Sequence, residues 1–114
     1  MTGNQGIKTV LHPVTDLDAA KKLYGALLGV EPQSDSPYYV GFELAGQQIG
    51  LVPNSDMTAP VSHWHVDDIE ARLADVIAAG GIVKASPRDV GGGRLVATFT
   101  DADGNVLGLI QDPQ

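Results

Sequence analysis

An internal repeat restricts the fold of this chain more than any other feature. Residues 9–17 read TVLHPVTDL and residues 61–69 read VSHWHVDDI, each a short strand-like run that ends in a helix-start signal. At this offset of 52, Val14 matches Val66, Asp16 matches Asp68, Leu17 matches Ile69 and Gly29 matches Gly81. Further on, AGQQIGL at 45–51 lies over DGNVLGL at 103–109, at an offset of 58. Both segments show a glycine turn followed by a short apolar strand that holds a second glycine. The six additional residues of the second half fall at about 89–94, around Gly91, Gly92 and Gly93. Two copies are too few for a solenoid, so the pattern specifies a duplicated unit whose copies pack on each other.

Each half reads as strand, helix and three strands. In the first, 8–14 is a strand, and Thr15 or Asp16 caps a helix whose first turn gains the negative charge of Asp18. Leu17, Ala20, Tyr24, Leu27 and Leu28 form its apolar stripe, and Gly29 ends it in the left-handed conformation that glycine adopts at least cost. Strands follow at 30–32, 38–44 and 47–52. In the second half, 61–66 is a strand, and Asp67 with Glu70 resembles a capping box. Ile69, Leu73, Val76 and Ile77 make the stripe, Gly80 and Gly81 end it, and strands follow at 82–85, 95–100 and 106–111. The segment 53–60, with two prolines among Asn, Ser and Asp, links the units, and Asp112 and Pro113 leave the sheet. The expected fold is therefore α+β: one domain over 1–114, made of a βαβββ unit at 8–52, the linker 53–60 and a second unit at 61–111.

Composition narrows the function classes. With 114 residues, 43% of them hydrophobic and 18% charged, the chain suits one globular domain. It has no cysteine, which excludes a disulfide scaffold, a thiolate metal site and a cysteine nucleophile. Seven Lys and Arg stand against fourteen Asp and Glu, a net charge of -7 that argues against nucleic acid and anionic membranes as partners. Residues 1–6 lack the apolar run of a signal peptide. A cytoplasmic protein is the expectation.

The order of these pieces resembles the vicinal oxygen chelate superfamily, the glyoxalase and bleomycin resistance protein kind. The residues that carry the resemblance are Val14-Thr15-Asp16-Leu17-Asp18-Ala19-Ala20, Tyr24 and Leu28-Gly29 in the first half. The second half adds Val66-Asp67-Asp68-Ile69, Ala79-Gly80-Gly81 and the Asp101-Ala102-Asp103-Gly104-Asn105 turn. The resemblance implies two units related by a pseudo-twofold axis, whose curved mixed sheets form a cup. In metal-dependent members each unit supplies two ligands to one divalent metal. One comes from early in its first strand, and one lies four residues after the turn glycine. On this chain those positions are Thr9, Gly50, Val61 and Gly108, of which only the Thr9 hydroxyl is a side-chain donor at all. A divalent ion needs several imidazole or carboxylate donors, so neither a metal nor another cofactor is expected here.

Strand alternation places Val61, His63 and His65 on one face, with Ser62, Trp64 and Val66 on the other. If Val61 marks the cup, both histidines point into it, a pair that could bind a metal or act as acid and base. The plainer reading puts His65 at an exposed strand end and gives His63 a hydrogen bond to ligand, water or backbone. Trp64 then belongs to the core, His12 is a half-buried helix-side histidine, and one of Tyr38 and Tyr39 lines the cup. The triple glycine reads as a hairpin loop, a lid for the cup, because no Lys-Ser pair follows it to cradle phosphate. The expected ligand face is Thr9, Leu11, Gln48, Gly50, Val52, Val61, His63, His65, Val106, Gly108 and Ile110, with glycine at 50 and 108 enlarging it. An apolar face with few polar groups describes a small-molecule site. The expectation is a metal-free binding protein for an apolar or aromatic metabolite or antibiotic. The alternatives are a lyase, isomerase or dioxygenase that uses a displaced metal or His63 and His65, and a structural or regulatory dimer. By the same resemblance, short members pair as homodimers, which covers open sheet edges.

Overall fold

The computed structural model describes residues 3–113. They form eight strands and two helices in the order β1 (Asn4–Val14), α1 (Leu17–Leu28), β2 (Ser34–Ser36), β3 (Tyr39–Leu44), β4 (Gln47–Pro53), β5 (Val61–Val66), α2 (Ile69–Ala78), β6 (Ile82–Asp89), β7 (Leu95–Thr100) and β8 (Val106–Gln111). This is the α+β architecture of two βαβββ units. Contacts divide the chain into one unit over Lys8–Val61 and another made of residues 3–7 with 62–113.

In the first unit the strand order is β2, β3, β4, β1. The outer pairs are antiparallel, and β1 runs parallel to β4 with Thr9 opposite Gln48 and Leu11 opposite Gly50. Buried Val40, Phe42 and Leu51 face α1, where Leu17, Ala20, Tyr24 and Leu28 meet them. Asp16 caps α1 by accepting from the Ala19 N–H at 3.0 Å, and Gly29 closes it at φ 72°. In the second unit the order is β5, β8, β7, β6, with β5 parallel to β8 and His63 opposite Gly108. Val66, Ala97 and Leu109 pack on Ile69 and Leu73 of α2, with Trp64 and Phe99 at the margin. The two halves share one register. Leu11 against Gly50 corresponds to His63 against Gly108 at the offsets of 52 and 58 that the sequence displays.

Several sequence expectations need correction. Residues 30–32 form no strand, because Pro32 offers no N–H and Val30 turns into the core, so the pairing segment is Ser34–Ser36. β1 starts at Asn4 and β6 runs on to Asp89, both longer than their apolar cores suggest. The cap of α2 is Asp68, which accepts from the Ala71 N–H at 3.1 Å, rather than Asp67. Asp67 instead accepts from Gln5 Nε2 at 2.8 Å and donates its N–H to the Gly3 carbonyl. Leu27 (73% exposed) and Ile77 (48%) fall outside the stripes assigned to them. At 3.6 residues per turn each lies roughly 60–70° round the helix from the centre of its buried face. Among the described residues, no helix is long and apolar enough to cross a membrane.

Candidate functional site

In each unit one sheet face is covered by its helix, and the expected ligand residues lie on the other. In the first unit the paired register puts Thr9, Leu11, Gln48, Gly50 and Val52 together on that face. Gly41 opposite Gly50 brings Tyr39 onto it as well. Tyr38 points elsewhere and is exposed, which settles the choice between the two tyrosines. Thr9 is buried, and its Oγ1 lies 3.4 Å from Gln48 Oε1, to which it donates. Gly50 does not leave a hole. A Cβ there would stand 2.5 Å from Tyr39 Oη and 2.6 Å from Leu11 Cδ2, so the phenol and the leucine already occupy the space a side chain at 50 would take.

The second unit repeats the device. A Cβ at 108 would overlap the imidazole of His63, with Cγ at 2.6 Å. The expectation that glycines at 50 and 108 enlarge the face is therefore reversed. They make room for neighbouring side chains from the strands beside them. His63 is 1% exposed and shares its face with Gly108, Val106 and Ile110, which Thr98, Thr100 and Val96 of β7 join through the β7–β8 register. Val61, which heads β5 on the same alternation, is buried too.

His65 does not sit at an exposed strand end. It is 2% exposed, because residues beyond the ends of β8 and β7 reach it. Leu95 pairs with Gln111, so the next positions outward, Arg94 and Asp112, face each other on the side of His65. His65 Nδ1 lies 2.9 Å from Asp112 Oδ2, Arg94 Nη2 lies 3.4 Å from His65 Nε2, and Arg94 Nε lies 3.3 Å from Asp112 Oδ1. A carboxylate only accepts and a guanidinium only donates, so this ring fits as the Nδ1–H tautomer, donating to Asp112 and accepting from Arg94. Sequence reading missed this group because no carboxylate lies within β5. The signal was the Leu95–Gln111 pairing, which only the register supplies.

Elsewhere, His12 faces the helix as expected. Its Nδ1 is 3.2 Å from the Tyr24 hydroxyl, the rings meet edge-on at 5.1 Å, and burial lowers its pKa below the ordinary histidine value. Two cavities of about 400 and 300 Å³ flank α1 and share Lys21 and Asp35, an ion pair at 3.0 Å, on the helix side of the first unit. Neither touches the predicted ligand residues.

The metal site of the resembling enzymes does not fit these residues. Thr9, Gly50, Val61 and Gly108 offer one hydroxyl among them, and the space at both glycines is filled by protein atoms. Among the described residues no three His, Cys, Asp or Glu come together in a way that could hold a metal ion.

Comparison with known proteins agrees with this architecture. The "Probable lactoylglutathione lyase" of Vibrio cholerae serotype O1 is 31% identical over 132 aligned positions, which span 100% of this chain and 95% of that protein. The Mn(II)-bound glyoxalase from Novosphingobium aromaticivorans superposes with a TM-score of 0.77 at 24% identity, over 98% of this chain and 40% of that one. The methylmalonyl-CoA epimerase from Mycobacterium tuberculosis gives 0.77 at 19% identity, over 100% and 92%. At these identities the two structures speak for the fold. The sequence also matches the model of the Glyoxalase/Bleomycin resistance protein/Dioxygenase superfamily over residues 6–109. With that match across nearly the whole chain, this protein belongs to the glyoxalase/bleomycin resistance protein/dioxygenase superfamily.

Proposed function

We propose that this chain is a metal-independent small-molecule-binding protein of the glyoxalase/bleomycin resistance type. It holds an apolar or aromatic metabolite or antibiotic against the sheet face away from the helix. The observation that carries this reading is the occupation of positions 50 and 108. Where the resembling enzymes carry metal donors, this chain has glycines covered by Tyr39, Leu11 and His63. In one unit Leu11 and Val52 supply apolar surface beside the polar groups of Thr9, Gln48 and Tyr39, and in the other Val106 and Ile110 do so beside His63, the mix of apolar surface and few polar groups that such sites use. A cytoplasmic homodimer is part of this proposal, since pairing covers the edges of an open sheet.

The test is elemental analysis of protein purified without added metal, followed by thermal shift against apolar and aromatic compounds with and without EDTA. The expected result is no stoichiometric ion, and a ligand that raises the melting temperature equally in both buffers. One tightly held zinc, iron, nickel or manganese per chain overturns the proposal.

A second reading, a metal-free acid–base enzyme, draws on the His63 ring standing over the position where relatives carry a donor. It is supported if metal-stripped protein turns over lactoylglutathione and His63→Ala does not.

A further inference from the structure

We infer that Arg94 and His65 form a carboxylate-binding site, and that Asp112 occupies it as an internal stand-in for a ligand's carboxylate. The inference rests on the small-molecule-binding reading above and names the anionic group that the ligand would carry.

One oxygen of Asp112 lies 2.9 Å from the buried imidazole Nδ1, and the other lies 3.3 Å from Arg94 Nε as an ion pair without hydrogen-bond alignment. A hydrogen bond from one side and a cationic charge from the other are the two interactions that hold a carboxylate here. The two cradle residues are held by the sheet and its hairpin, and the occupant is the most exposed of the three. His65 lies within β5 and is almost wholly buried. The backbone of Arg94 is pinned from both sides, since its carbonyl accepts from the Val90 N–H at 2.9 Å and its own N–H donates to the Gly91 carbonyl at 3.2 Å. Asp112, by contrast, follows the last residue of β8 and its side chain is 51% exposed. On its two sides, Gln111 pairs with Leu95 and accepts from the Ile69 N–H at 2.8 Å, and Pro113 lies 3.6 Å from where a Cβ on Gly93 would stand.

The surroundings suit an apolar acid. Val96 and Ile110 lie on the same face, adjoining the charged group in the β7–β8 register. The protein carries a net charge of -7, so a carboxylate has little reason to approach except where a guanidinium is locally dominant. With Asp112 in place, Arg94 is neutralised. With Asp112 removed, the cradle holds one net positive charge beside an apolar surface.

The experiment is calorimetric titration of the full chain with sodium benzoate, with benzamide as the uncharged control. The proteins are the parent, Asp112→Ala, Asp112→Asn and Asp112→Ala combined with Arg94→Gln. Asp112→Asn keeps the shape of the side chain and serves if the alanine variant folds poorly. The expected result is benzoate binding about tenfold tighter in the single variants than in the parent, the scale of one hydrogen bond to a charged group. Benzamide should show no such gain, and Arg94→Gln should abolish it. Equal benzoate affinity in parent and variants, a gain that survives Arg94→Gln, or an equal gain for benzamide overturns the inference. If the parent binds neutral aromatic compounds but the variants gain nothing for benzoate, the carboxylate site falls and the binding function stands. If the variants gain benzoate while the parent binds no neutral compound, the carboxylate site stands and the broader binding reading falls.

Discussion

Replacing Gly108 by alanine probes how closely the buried His63 ring is seated against β8. The new Cβ would overlap His63 Cδ2 and Nε2 and stand 2.6 Å from Cγ, against an ordinary carbon contact of about 3.5–4.0 Å, so the buried ring must retreat by more than about 1 Å. Forcing one extra methyl into a packed position costs about 1–3 kcal/mol. Gly108 does not have a positive φ, so alanine fits the backbone and regains about 0.4–1 kcal/mol by restricting the unfolded chain. The net loss is about 1 kcal/mol. A chain of 114 residues has an unfolding entropy of about 0.24 kcal/mol/K, so the melting temperature should fall by about 4 °C. The assay is urea and thermal unfolding of the parent, Gly108→Ala, His63→Ala and the double variant. Once the ring is gone the new methyl has room, so the cycle should show a favourable coupling of about 1–2 kcal/mol. A Gly108→Ala protein as stable as the parent, with coupling within about 0.5 kcal/mol of zero, would refute the reasoning.

Two further outcomes follow from the geometry. Asp68→Ala should cost about 1 kcal/mol through loss of the α2 cap, measured by thermal unfolding, whereas Asp67→Ala should leave that cap intact; equal losses through the helix would contradict the cap assignment. Burial holds the His12 pKa below its ordinary value, so the unfolded chain takes up that proton first as pH falls below about 6.5. Stability from this group is full above that pH and is lost on the acid side. Unfolding of the parent and His12→Gln between about pH 8 and pH 5 should show the parent losing stability faster below about 6.5, and parallel curves would refute it.

The sequence by itself determined the duplicated βαβββ plan, because glycine turns, capping aspartates and apolar periodicities recur at fixed offsets. It also determined which faces the strands present. Alternation separates Trp64 and Val66 from Val61, His63 and His65 within β5, the resemblance alone put Val61 and Gly108 on one face, and the register sets His63 opposite Gly108. Local chemistry left the cap of α2 open, since Asp67 and Asp68 are both good caps and the choice turns on Asp67 meeting Gly3 and Gln5 from 62 or more residues away. The contents of the site were decided by tertiary structure. A glycine in a sequence states only that no side chain starts there. Whether the space is empty or taken by Tyr39 or His63 depends on which strand lies beside it and how its side chains lean. The group of Arg94, His65 and Asp112 was hidden for the same reason. Its members lie 29 and 47 residues from the histidine, and only the parallel β5–β8 and antiparallel β7–β8 pairings bring two strand ends to one imidazole.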